Sequence, residues 1–102
     1  MEEVIRNGNL QQLKQLYKGK VHDENFDINQ VVGDRKETAL FCAAKHGQLE
    51  IIQYLWDEFR PDLERANSEN MTPFYVACNN GHLHIAQFLV DAGSNITAKM
   101  DG

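Results

Sequence analysis

The chain has 102 residues, with 10 Lys and Arg against 15 Asp and Glu, a formal net charge of −5 and 42% hydrophobic residues. That length allows at most one domain, and the acidic balance excludes a partner held by its phosphate backbone, which needs a basic face. No stretch approaches the roughly 18 apolar residues of a membrane span, and the acidic Met1-Glu2-Glu3 start has no apolar region behind it, so neither a membrane segment nor a secretory signal is expected. The composition therefore reads as that of an intracellular protein, cytoplasmic or nuclear.

Residues 2–7 predict a helix of barely two turns. Leu10, Leu13, Leu16 and Tyr17 then recur at helical spacing, with Gln11, Gln12, Lys14 and Gln15 left for water. Residues 18–37 form a longer connection that reads as an enlarged hairpin rather than a free linker. Thr38 caps a helix carrying Leu40, Phe41, Cys42, Ala43 and Ala44, and His46-Gly47 ends it. A second helix carries Leu49, Ile51, Ile52, Tyr54, Leu55 and Trp56 until Pro61 prevents continuation. Thr72-Pro73 opens the next helix, with Phe74, Ala77 and Cys78 on one face, and Asn80-Gly81 closes it. A last helix over 82–91 is apolar on more than one stripe, as a helix covered on two sides would be.

These elements repeat. The segment from Thr38 to Leu49 matches that from Thr72 to Leu83 in register, 34 residues on, and Asn7-Gly8-Asn9-Leu10 is a cut-down third copy. A period in the thirties signals a stack of helix pairs, which presents binding surfaces. The polar first copy suits a terminal cap. The apolar last one does not, so the array is expected to continue past Gly102 or to associate with itself there. Tyr54 and Trp56 are expected to pack between neighbouring helices, with a patch for a second partner or self-association as the alternative. Cys42 and Cys78 are expected to be small buried thiols. The sequons at Asn70 and Asn95 are read as accidental.

Catalysis finds little footing. Cys42 and His46 lie four apart on one helix, but no third group orients them, and Gly81 breaks the helix between Cys78 and His82. His82 and His84 lack metal-ligand spacing, and no glycine-rich phosphate loop occurs. No enzyme activity, metal or cofactor is expected.

The run Thr72-Pro73-Phe74-Tyr75-Val76-Ala77-Cys78-Asn79-Asn80-Gly81-His82-Leu83 resembles the ankyrin repeat signature, and the likeness extends in weaker form over essentially the whole chain. It implies an all-α ankyrin-repeat solenoid with hairpin-like loops, a single domain over 1–102 with repeats near 1–32, 33–66 and 67–99 and the start of another at 100–102. The family's histidine is replaced by Phe41 and Tyr75, and its hairpin glycine by Lys36 and Asn70. Lys36 accepts a left-handed backbone poorly, so an irregular first hairpin is expected. The resemblance implies a non-enzymatic protein-protein interaction module that binds through a concave face. Its contact positions would be Arg6, Asn7, Lys45, His46, Asn79 and Asn80 at the first-helix ends. At the hairpin tips they would be Asp34, Arg35, Glu37, Ser68, Glu69, Met71 and Asp101. A spacer within a longer array, or a regulatory or targeting module of a larger enzyme, is the alternative.

Overall fold

Threonine hydroxyls start two of the helices. Thr38 Oγ1 accepts a hydrogen bond from the Phe41 amide at 3.1 Å, and Thr72 Oγ1 from the Tyr75 amide at 3.2 Å. Each satisfies one of the amides that a helix start leaves without a partner. Pro73 fits the first turn because its missing N–H would have had no partner there. The computed structural model describes residues 2–31 and 33–94. Its helices are α1 (Glu2–Arg6), α2 (Leu10–Leu16), α3 (Ala39–His46), α4 (Leu49–Phe59), α5 (Pro73–Asn79) and α6 (Leu83–Ala92).

The helices pair as α1 with α2, α3 with α4 and α5 with α6. An inner row forms where α1 packs on α3 and α3 on α5, while α4 packs on α6 behind it. This is the expected all-α solenoid. The middle pair supplies half of the core: Leu40, Phe41, Ala43, Ala44, Ile51, Ile52 and Leu55 are all essentially inaccessible. Small Ala43 and Ala44 let inner helices approach from both sides. Phe41 is buried, so packing replaces the polar side chain of the family pattern at that position.

The long connection is anchored by an aromatic cluster. Phe26 lies edge-on to Tyr17 at 5.5 Å between centroids, and Phe59 meets both rings at 5.3 and 5.6 Å. The Asn29 side chain also accepts from the Asp62 amide at 2.7 Å, tying this connection to the next one.

Successive pairs are joined by a contact that occurs twice. The side chain before each second helix reaches back to a carbonyl at the end of the previous first helix. Gln48 Nε2 donates to the Arg6 carbonyl at 2.9 Å, and His82 Nε2 bonds the Lys45 carbonyl at 3.1 Å. A carbonyl only accepts, so Nε2 of His82 carries the proton. Both side chains lie over the turn glycine of the previous pair. A Cβ on Gly8 would come within 2.6 Å of Gln48 Oε1, and one on Gly47 within 2.8 Å of His82 Cε1.

Some expectations fail. Cys78 is exposed, not buried. Leu16 is 44% exposed, because α2 has no outer neighbour on that side among the described residues. Lys36 adopts φ 54°, close to the 64° of Asn70, so the first tip makes the same left-handed turn as the second and is not irregular there.

Gly47 and Gly81 share a left-handed conformation, at φ 76° and 77°, but nothing described lies within 4 Å of a Cβ on Gly81. Gly81→Ala should cost about 1 kcal/mol for the backbone alone. Gly47→Ala should cost roughly 1 kcal/mol more, because His82 must leave its carbonyl. Urea unfolding of the two variants checks this, and equal losses would mean the His82 contact contributes nothing.

Candidate functional site

The inner face is built from the C-terminal ends of α1, α3 and α5 and from two loop tips. The tip after residue 67 is shaped by Asn67, whose side-chain oxygen accepts from the Glu69 and Met71 amides at 2.9 and 3.0 Å. Such local bonds are why Asn favours turns. The Ser68 amide donates to the Arg35 carbonyl at 2.8 Å, so the two tips are held side by side.

Eight of the expected contact residues are exposed: Arg6, Asn7, Asp34, Arg35, Ser68, Glu69, Asn79 and Asn80. Lys45, His46 and Met71 are half-buried. Asp34, Arg35, Glu37 and Lys45 come together with Glu2 around a shallow depression of about 200 Å3. Ser68, Glu69 and Met71 belong to the next tip, and Asn79 and Asn80 to the end of the α5 segment. Asp101, with the expected start of a further repeat, lies outside the described residues. Asn80 also has an internal task, since its Nδ2 donates to the Lys45 carbonyl at 3.0 Å.

Glu37 is misplaced by the sequence reading. It is only 6% exposed, so it offers a partner almost nothing. Its carboxylate accepts from Lys45 Nζ at 3.3 Å and from the Cys42 thiol at 3.4 Å, which is what allows a charge to sit there. The ion pair in turn fixes the Lys45 ammonium at the edge of the depression.

His46 is also less superficial than expected. Its Nε2 is buried without a hydrogen-bond partner among the described residues, and burial, then the nearby Lys45 charge, lower its pKa below the ordinary histidine value. It is held neutral and is a packing group more than a contact group.

Glu2, Glu37 and Cys42 place potential metal ligands within 4.8 Å of one another. A cation there would have to displace Lys45 from Glu37 and the proton from Cys42. Burial, then the Glu37 charge, push that thiol up to about 12, so it is protonated at neutral pH and a poor ligand and nucleophile. The fit to a metal is poor, and the Cys42 thiol is bonded to Glu37 rather than to His46.

Sequence reasoning made His82 a structural residue at the start of a second helix, but it missed Glu2 as a wall of the depression and the back-reaching bonds of Gln48 and His82. A signal for the last was present, since both residues directly follow a turn glycine, 34 positions apart.

A family profile described as ankyrin repeats, in three copies, matches residues 1–100. Among curated relatives, the Notch-regulated ankyrin repeat-containing protein of Xenopus laevis is 30% identical over 89 residues, covering 87% of this chain and 75% of its own length. Alpha-latrocrustotoxin-Lt1a of Latrodectus tredecimguttatus is 33% identical over 67 residues, which is 66% of this chain but 5% of the toxin. A chain in the structure of a predatory endopeptidase from Bdellovibrio bacteriovorus in complex with an immunity protein superposes with a TM-score of 0.81 at 27% identity. That match covers 93% of this chain and 46% of the solved one.

The raised thiol has a consequence for stability. The unfolded Cys42 ionises above its ordinary 9.0, while the folded thiol stays protonated to about 12, and Tyr17 behaves alike, shifted by burial from 10.0 to about 12. Between pH 9 and 12 the native state therefore binds more protons than the unfolded state, so stability present below pH 9 falls as pH rises. The double variant Cys42→Ala/Tyr17→Phe should show a flatter decline in urea midpoint from pH 9 to 11 than the unaltered chain, and parallel declines would contradict the assignment.

Proposed function

The chain belongs to the ankyrin repeat family, and we propose that it acts without catalysis, as a module that binds another protein across its inner face. Ankyrin repeats are in general protein-interaction modules rather than enzymes. The observation that carries the reading for this chain is the bond between Ser68 and Arg35, which aligns two exposed tips beside three helix ends. Exposed Asp34, Arg35, Ser68 and Glu69 are thereby brought together at the tips, with exposed Asn79 at the end of α5 adding a further polar group. Their mixed charges suit a polar protein surface, recognised by many modest contacts with few dominant ones.

We read the chain as three units near 1–32, 33–66 and 67–99, a division that the three successive helix pairs support. The outer side of the last unit supports the view that the stack continues. Leu83 is 70% exposed, whereas its counterpart Leu49 is half-buried against the following pair. A second copy is a poorer occupant for that side. In the first unit the position of Gln48 and His82 is taken by Asn9, whose side chain is turned onto Gln12 of its own helix. No described helix is long and apolar enough to cross a membrane, and we read the module as working inside the cell.

The test uses whatever protein the immobilised full chain retains. Alanine at Arg35, Met71 and Asn79 together should leave the helical spectrum unchanged and weaken that binding about tenfold. Undiminished binding by the triple variant would remove the inner face from the account.

A further inference from the structure

The outer row of helices is not evenly closed. α4 packs on α6, but between α2 and α4 the surface opens into a groove of about 570 Å3. Half-buried Leu10 and Tyr54 form its floor, and Glu50, Asp57 and Glu58 line it from one side. We propose that this groove is a second docking surface, on the side opposite the inner face, and that it takes a basic segment of a partner protein, its lysine or arginine side chains entering between Tyr54 and the three carboxylates.

The charge arrangement of α4 is the main reason. Glu50, Asp57 and Glu58 are exposed and take part in no ion pair among the described residues. A Lys or Arg four residues after Glu50 would help to offset its charge, but position 54 is a tyrosine and α4 contains no basic residue at all. Asp57 and Glu58 also stand in its last turn, at the end where the aligned peptide dipoles already concentrate negative charge. Arg60 follows the helix, but its guanidinium lies over the Trp56 ring at 4.7 Å. The helix thus carries a local electrostatic cost that an incoming cation would relieve. Departures of this kind from local preference are expected where a surface serves binding.

The groove also shows what it accepts. Lys14 Nζ sits 5.7 Å above the Tyr54 ring, so an ammonium from this chain already uses the floor. One lysine against three carboxylates leaves the groove net negative, and further cations complement it.

Calorimetric titration of the full chain with an octa-arginine peptide at low ionic strength tests the proposal. Glu50→Gln/Asp57→Asn/Glu58→Gln should weaken binding about tenfold, the size expected from losing three exposed charge pairs. A control with the same change of net charge outside both surfaces, Glu24→Gln/Asp27→Asn/Asp91→Asn, should change it less than about twofold, and Lys14→Gln, which frees the ring, should tighten it. Absence of binding by the unaltered chain would overturn the proposal. So would equal weakening by the two triple variants, which would mean attraction to net charge alone, or weaker binding by Lys14→Gln. None of these outcomes bears on the inner-face reading, because binding there is measured with a different partner.

Discussion

A helix end leaves carbonyls that no residue of the same helix can satisfy, and this stack is organised around that deficit. α1 and α3 both end against a glycine turn, and in both cases the donor that reaches the last turn comes from the following unit, Gln48 in one case and His82 in the other. The glycine is required twice over, for its left-handed backbone and because any Cβ would occupy the place of the reaching side chain. Satisfying one unit's backbone therefore fixes the position of the next. Alone, a pair of helices this short would be marginal, and joined this way each supplies the partner groups the other lacks.

The surface follows from that arrangement. With units held in register, the inner helix ends and loop tips recur along one side, and the bond between Ser68 and Arg35 keeps the tips together. The Lys45 backbone carries the inter-unit bonds from Asn80 and His82, while its ammonium is pinned by buried Glu37. One residue thus links stacking, core electrostatics and the inner face. On the outer side the aromatic group of Tyr17, Phe26 and Phe59 secures the long connection, and the row opens next to it between α2 and α4.

Much of this was legible in the residues. Thr38, Thr72, Pro73 and the turn glycines act locally, so their identities predict the helix ends they make. The in-phase echo of two segments predicted stacking, because only a repeated environment calls for a repeated pattern. What sequence could not supply was direction. Cys78 shares an apolar stretch with Ala77, yet one is exposed and the other inaccessible, since each step along a helix turns the side chain about 100°. Glu37 sits at a tip position by spacing, but the thiol of Cys42 and the ammonium of Lys45 draw it inward. Phe26 lies in a stretch without periodicity, and its partners Tyr17 and Phe59 are distant in sequence, so its anchoring role emerges only in three dimensions.

The claim that a back-reaching side chain couples one unit to the next is most directly tested by amide hydrogen exchange on His82→Gln and His82→Ala. Glutamine performs this task at position 48, so His82→Gln should preserve protection throughout, whereas His82→Ala should let the α5 and α6 amides exchange faster while those of α3 and α4 change little. Identical exchange in the two variants would contradict the account.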